Sequence, residues 1–243
     1  MKGLVLAAGP GRRLHPLTEA LPKTLLPLSD GRTILDLALA NLRAAGLEDV
    51  VVVTGFAAER VEEQVPELER RHGVRLELLF NERAEEWNNA YSLWLARKVF
   101  TEGVLLVNGD TVHPRSVEET LLAARGADVL LAVDRQRELG KEAMKVTLSP
   151  AGTLQRISKE IDPTSADGEY IGVALVEPSG AEPLADALEA TWRRDPSLYY
   201  EDGFQELADR GGEVHVAPIG AVDWVEVDDH GDLARARELA FPS

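Results

Sequence analysis

The chain has 243 residues, 44% hydrophobic and 28% charged, enough for one large α/β domain or one core with a small lobe. Its formal net charge of −16 argues against non-specific binding to nucleic acid or an anionic membrane, and no run of about 18 uncharged apolar residues exists to span a bilayer. Cysteine is absent, which excludes disulfides, a thiolate nucleophile and cysteine-bound zinc.

The first predicted element is a strand over Lys2–Ala7. It starts at once, leaves no room for a signal peptide, and so points to a cytoplasmic protein. Its apolar run breaks into Gly9-Pro10-Gly11, then Arg12-Arg13, then Lys23 held between Pro22 and Pro27. A helix near Ile34–Ala45 follows, with Leu35, Leu39 and Leu42 at helical spacing and Gly46 placed to end it. Strands at Asp49–Thr54, Arg75–Asn81, Gly103–Asn108 and Asp128–Asp134 then alternate with helices near Ala58–His72, Asn89–Phe100 and Pro114–Ala124. A parallel sheet requires that alternation.

After Asp134 the texture changes. Residues 143–149, 153–159 and 169–176 read as strands joined by short turns, followed by helices at Gly180–Arg193 and Gly203–Asp209. Short strands at Glu213–Ala217 and Trp224–Val227 precede a closing helix from His230 to Ala240. The expectation is one domain over residues 1–243, with a first half to residue 134 and a second half, 135–243, that adds antiparallel strands to a mixed sheet.

Small residues after the first strand let backbone N–H groups approach a ligand, and clustered cations suit phosphate oxygens. Within residues 1–25, Lys2, Arg12, Arg13 and Lys23 stand against Glu19 alone, a local balance of +3 in an acidic protein. The P-loop pattern is excluded, because Glu142 follows Gly140-Lys141 and Arg135 stands where the first glycine belongs. The dinucleotide fingerprint is excluded as well, because Leu14 takes the place of its third glycine. A nucleoside triphosphate is the expected ligand, with Mg²⁺ supplying the rest of the charge neutralisation.

The segment Leu6-Ala7-Ala8-Gly9-Pro10-Gly11-Arg12-Arg13-Leu14, followed by Pro22-Lys23-Thr24-Leu25-Leu26-Pro27, resembles the signature of the nucleotidyltransferases. The resemblance extends over essentially the whole chain. It implies a three-layer αβα Rossmann-like fold with a mixed, mainly parallel sheet, and an enzyme that condenses an NTP with a phosphorylated sugar or alcohol and releases pyrophosphate. It also implies roles. Arg13 meets the β- and γ-phosphates, and Lys23 meets the acceptor's phosphate and the α-phosphate, so both are catalytic candidates. Leu6, Ala7, Ala8, Gly9, Gly11, Asn89 and Gly109 lie against the nucleotide, while Arg12 faces solvent. Asp110 ends a buried strand, where open α/β sheets bind ligands, and in this family coordinates Mg²⁺. The ending Trp224-Val225-Glu226-Val227-Asp228 points to Asp228 as its partner, and strand alternation puts Glu226 and Asp228 on one face. Asp228 or Asp229 could instead cap the last helix.

Asn88-Asn89-Ala90-Tyr91-Ser92-Leu93, Ser158-Lys159 and Gly168-Glu169-Tyr170-Ile171-Gly172 resemble the phosphocholine and inositol-phosphate cytidylyltransferases. That resemblance implies CTP as donor, with Ser92, Lys159, Glu169 and Tyr170 joining Lys23 around a small phosphomonoester acceptor. Asn88 doubles as a helix cap. For a choline-type acceptor, aromatic faces at Trp87, Tyr91, Tyr170 or Trp224 and acids at Glu86, Asp134 or Glu169 are candidates, whereas Trp94 reads as core. Choline and inositol are not separated by these residues. Lone His113 and His230 receive no role. A sugar-1-phosphate nucleotidyltransferase using UTP, dTTP or GTP is the alternative, and a non-catalytic nucleotide sensor the third reading. A homo-oligomer is compatible with all of them.

Overall fold

The structure, a computed structural model, describes residues 1–29 and 31–239. Five strands of the first half are β1 (Lys2–Ala7), β2 (Asp49–Thr54), β3 (Arg75–Phe80), β4 (Val104–Asn108) and β6 (Val129–Asp134), with a short β5 (Thr111–Val112) between the last two. Helices α1 (Ile34–Ala44), α2 (Ala58–His72), α3 (Asn89–Leu95) and α4 (Ser116–Ala123) connect them. The second half contributes β7 (Lys145–Leu148), β8 (Leu154–Ser158), β9 (Gly168–Val176), α5 (Ala181–Arg194), α6 (Tyr200–Asp209), β10 (Val214–Pro218), β11 (Val225–Glu226) and α7 (His230–Glu238). The expected last residue of the closing helix, Ala240, lies outside the described residues.

Among the described residues the main sheet runs β10-β6-β9-β4-β1-β2-β3. Pairs β1–β2, β1–β4, β2–β3 and β6–β10 are parallel, and β9 is antiparallel to both β4 and β6. The central strands β1, β2, β4, β6 and β9 are buried on both sides, as strands covered by helices on two faces must be. Alternation sends Leu4, Val51, Val53 and Leu106 into one core with Leu93, Leu184, Leu188 and Phe204 of α3, α5 and α6. Val5, Val50, Val52, Leu105 and Val107 enter the opposite core with Leu35, Leu39, Val61 and Leu121 of α1, α2 and α4. Three layers result, the α/β fold expected from the sequence.

A third, smaller core matters most for function. Leu14, Leu26, Ile34, Val112, Val225, Val227 and Leu233 pack together, joining the loops after β1 to β5, β11 and α7. Each such buried side chain contributes roughly 1.5–3 kcal/mol, so segments more than 200 residues apart in sequence are anchored to one another.

Several boundaries moved for local reasons. The helix expected over Asn89–Phe100 is α-helical only to Leu95 and continues as 3-10 turns to Glu102. Helix α6 begins at Tyr200, three residues earlier than expected, because Asp202 accepts the Tyr199 N–H and holds the first turn. Strand β5 was not anticipated, since it exists only through its pairing with β11.

Candidate active site

Two loops and two strand ends converge above β1 and β4. Gly11 starts the 3-10 turn Arg12–Leu14 in the left-handed region at φ 58°. A side chain there would be strained and would press within 3.2 Å of Lys23 Cβ. The buried Thr18 hydroxyl donates to Gly11 O at 2.8 Å and fastens the turn. Pro22 leads into a second 3-10 turn, Lys23–Leu25, whose Leu25 and neighbouring Leu26 are buried and point Lys23 the other way, into the site. Gly109 follows β4 and donates its N–H to Leu6 O at 2.8 Å. A Cβ at Gly109 would lie 2.5 Å from that same oxygen, so only glycine lets the β4 end close onto β1.

Asp110 is set by this close approach, and Asp228 by the β5–β11 ladder, where Glu226 pairs with Thr111 and Val227 N–H donates to Asp110 O at 2.9 Å. Asp229 caps α7 with Asp232 in a capping box. The cap is therefore Asp229, which leaves the Asp228 carboxylate to the site. Lys23 Nζ lies 2.8 Å from Asp110 Oδ2 and 2.9 Å from Asp228 Oδ1, while Arg13 reaches Asp228 Oδ2 at 2.7 Å. Burial disfavours the Lys23 ammonium, but Asp110 and Asp228 outweigh it and hold its pKa above the ordinary value. Asp228 is likewise partly desolvated, yet Lys23 and Arg13 hold its pKa below the ordinary value.

Glu226 is the residue the sequence left unassigned. Asp110, Glu226 and Asp228 each bring a carboxylate oxygen within 4.8 Å of the others. Glu226 is open to the cleft by surface area but surrounded by its walls, and desolvation, then Asp110 and Asp228, push its carboxyl up to about 8. Three carboxylates crowded together with Asp110 Oδ1 buried and unpartnered form an all-oxygen donor set, which fits a hard divalent cation such as Mg²⁺.

The cleft over these groups spans about 950 Å³ counted out to solvent. Leu6, Ala8, Gly9, Arg13, Asn89, Ser92, Asp110, Lys159, Tyr170 and Asp228 line it, so most of the expected residues are brought together. Asn89 and Ser92 each have one side already used. Asn89 Oδ1 accepts the Tyr200 N–H at 2.9 Å, and Ser92 Oγ accepts from Asn81 at 2.8 Å. Asn88 is the N-cap of α3 and also lines the cleft. Ala7, Gly11, Lys23 and Gly109 are not part of the wall. Ala7 packs in the core, and the other three shape or charge the site from behind.

Other expectations are corrected. Glu169 does not reach the cleft, because alternation along β9 turns it away from its neighbour Tyr170; it faces a separate hollow with Arg137, Lys141 and Arg235. Trp87 and Tyr91 pack at 4.9 Å in an aromatic cluster with Trp94 and Trp192, and Glu86 pairs with Arg83. Trp224 is buried, donating from Nε1 to Asp134 at 2.8 Å. Of the four aromatic candidates only Tyr170 lines the cleft. Asn108, Glu142, Met144, Tyr199 and Glu201 line it without having been anticipated. Asn108 had a signal, its place at the end of a buried strand before Gly109-Asp110. Glu201 had none.

No helix among the described residues is long and apolar enough to cross a membrane. The chain is 31% identical over 242 residues to the CMP-5'-(3-aminopropyl)phosphonate synthase of Streptomyces rubellomurinus, covering 97% of this chain and 38% of that protein. It is 28% identical over 240 residues to the bifunctional IPC transferase and DIPP synthase of Aquifex aeolicus, covering 97% of this chain and 50% of that one. The chain thus spans half or less of the length of these curated relatives. The inositol-1-phosphate CTP transferase of T. maritima superposes with a TM-score of 0.82 at 23% identity, covering 100% of this chain and 98% of the other, which shows a shared fold. Residues 2–138 match the nucleotidyl transferase family, and with a site of this composition at the ends of β1, β4 and β11 the chain belongs to that family.

Proposed function

We propose that the chain transfers CMP from CTP to the phosphate of a small phosphorylated alcohol, of the phosphocholine or inositol-phosphate type, and releases pyrophosphate. One observation carries this reading: Lys23 lies between Asp110 and Asp228, with Arg13 on the far side of Asp228. Cations and a metal-type carboxylate set at one point are what a reaction between two anions needs. The relatives aligned over nearly the whole chain, one named for a CMP product and one of known structure for CTP, support cytidine as the base.

In this reading an acceptor phosphate oxygen attacks the α-phosphorus in line. The bond from that phosphorus to the α,β-bridging oxygen breaks, and pyrophosphate leaves with its electron pair. Arg13, largely exposed at the mouth, draws in the β- and γ-phosphates and follows them out. Lys23 turns from the carboxylates toward the α-phosphate and the incoming phosphate, bringing both within reach of one ammonium. Leu6, Ala8, Gly9 and Asn89 border the nucleoside, with Gly109 shaping the site behind them, and Ser92, Lys159 and Tyr170 border the acceptor. Asp110, Asp228 and Glu226 would hold Mg²⁺, which when bound supplies charge neutralisation for the triphosphate. No general base is required, since the nucleophile is already an anion.

The test is pyrophosphate release with CTP, UTP, dTTP, GTP and ATP, each against phosphocholine, phosphoethanolamine, inositol 1-phosphate, glycerol 3-phosphate and glucose 1-phosphate. Fastest release with CTP and an alcohol phosphate is expected. Preference for UTP, dTTP or GTP with glucose 1-phosphate would replace this reading with a sugar-nucleotide activity. Nucleotide binding without release across the panel would make the chain a sensor.

A further inference from the structure

One wall of the cleft carries charge that the phosphate chemistry does not use. Glu201, in the first turn of α6, lines the cleft yet is only 6% exposed, and its Oε2 has no hydrogen-bond partner. Among the described residues no ion pair involves it. The helix does not need it at its N-terminus, because Asp202 accepts the Tyr199 N–H at 2.8 Å. Desolvation pushes its carboxyl up to about 7, against a smaller opposing pull from Lys159.

The surroundings suggest what belongs there. Tyr199, near Glu201 in sequence, is 40% exposed and lines the cleft, as do Met144 and Glu142. This wall already holds one cation: Lys159 Nζ sits 5.4 Å from the Tyr199 ring centroid and 3.7 Å from Glu142 Oε2. Arg13 and Lys23 lie beside the carboxylate trio. The cleft therefore carries cations already paired with acids and, at Glu201, a buried acid with no ion pair of its own. A hydroxyl can satisfy a lone pair of Glu201 but not its charge, and a tyrosine face and a thioether offer a polyol little. An ammonium satisfies all three.

The lone pair of Glu201 narrows the choice further. A quaternary ammonium has no N–H to donate and depends on several aromatic faces. Here Tyr199 offers one. Tyr170 is 3% exposed and directs its hydroxyl to Tyr200 at 3.1 Å, with its ring edge-on to Tyr200 and Phe204. We propose that the acceptor is zwitterionic, a short-chain phosphate ester bearing a primary ammonium, whose N–H groups bind Glu201 while its methylenes rest on Tyr199. This rests on the cytidylyl-transfer reading above and names its acceptor class; Glu201 is a specificity-determining residue.

Phosphoethanolamine, phosphocholine and glycerol 3-phosphate share one phosphate and differ at the far end, so they are the probes. Binding is measured by calorimetry and turnover by pyrophosphate release with CTP. Phosphoethanolamine is expected to bind, and to show kcat/KM, at least tenfold better than either of the others. Glu201→Gln is expected to raise KM for phosphoethanolamine about tenfold, leaving kcat, CTP affinity and glycerol 3-phosphate turnover within about twofold, because removing one charge-assisted hydrogen bond costs about that much. Its melting temperature should match or exceed the wild type, since a desolvated charge is gone. Tyr199→Leu, which keeps the carboxylate, should give a smaller loss of the same preference. Tighter binding of phosphocholine or glycerol 3-phosphate overturns the proposal, as does an equal loss for every acceptor in Glu201→Gln. If no acceptor yields pyrophosphate, the transfer reading fails, and calorimetry still decides the ammonium preference.

Discussion

Lys23 Nζ and Asp110 Oδ2 lie 2.8 Å apart although 87 residues separate them in sequence. The same ammonium also reaches Asp228, so it sits where a divalent cation would neutralise the two acids. In the proposed reaction ammonium and metal would compete for the same oxygens, and a bound nucleotide would give Lys23 another anion to hold. Lys23→Met is expected to lower kcat/KM by about 10²-fold or more, the scale set by removing one positioned charge from a phosphoryl-type transition state. It should also enlarge the rise in melting temperature produced by millimolar Mg²⁺ relative to wild type. Thermal scans with and without MgCl₂ measure this, and an unchanged Mg²⁺ effect would show that Lys23 does not guard the site.

Asp110→Asn keeps shape and removes one charge. Asp110 Oδ1 is buried without a partner, so the substitution leaves few hydrogen bonds to break in the resting protein. Turnover is expected to fall about 10²–10³-fold with the melting temperature within a few degrees of wild type. A variant with wild-type rates would remove Asp110 from the metal set.

The contact between Gly109 and Leu6 makes a stability prediction that needs no ligand. A methyl group at Gly109 would lie 2.5 Å from Leu6 O and 3.1 Å from Ala7 Cα, both backbone atoms that cannot rotate away. Gly109→Ala should therefore cost about 1–3 kcal/mol in urea unfolding. It should also displace Asp110, so activity should drop further than the loss of stability alone explains. A stable, fully active alanine variant would contradict the tight β1–β4 junction.

On α4, fully buried Glu118 has both carboxyl oxygens without hydrogen-bond partners, and its Oε2 lies 3.6 Å from the Nδ1 of buried His113. Desolvation pushes Glu118 well above its ordinary 4.5 and pulls His113 down to about 4. A carboxyl whose folded pKa is raised carries no penalty below the unfolded value, and destabilises the native state progressively as pH rises from there through the folded pKa. His113 acts with the opposite sign, favouring the fold as pH rises from about 4 to its unfolded 6.5. Glu118→Gln removes the first effect and keeps the second. Stabilities of variant and wild type should be similar at pH 4, and the variant should be more stable by roughly 1–3 kcal/mol at pH 8. Urea melts at the two pH values test this; a pH-independent difference would mean the buried acid is not the cause.

The sheet was legible in the sequence because its strands are continuous apolar runs set between helical periodicities, and β1, β2 and α2 fall where those patterns put them. Arg13, Lys23, Asp110 and Asp228 were legible because each lies within a contiguous stretch of signature. Glu226 was visible only as the residue sharing a face with Asp228. What failed was inference from sequence neighbours. Trp87 and Glu86 are adjacent in sequence, yet one joins the Trp192 cluster and the other pairs with Arg83. Glu169 and Tyr170 are consecutive, and the pleat sends them to opposite sides. Glu201 was invisible because its place in the cleft depends on where α6 starts, and that follows a tyrosine, outside the usual cap residues, whose N–H is held by Asp202.

Strand β9 has a consequence for how this polypeptide could be divided. It enters the sheet between β4 and β6, pairing with Val104–Val107 on one side and with Val129–Asp134 on the other, though both neighbours precede it in the chain. A fragment cut after Asp134 would present two fully apolar strand edges with nothing between them, an invitation to intermolecular pairing. Residues 1–134 hold the nucleotide signature, but as a separate product they should precipitate, and adding 135–243 in trans should restore solubility and activity together. Circularly permuted versions should instead be opened at the exposed Pro150-Ala151-Gly152 turn between β7 and β8, which keeps β4, β6 and β9 in one polypeptide.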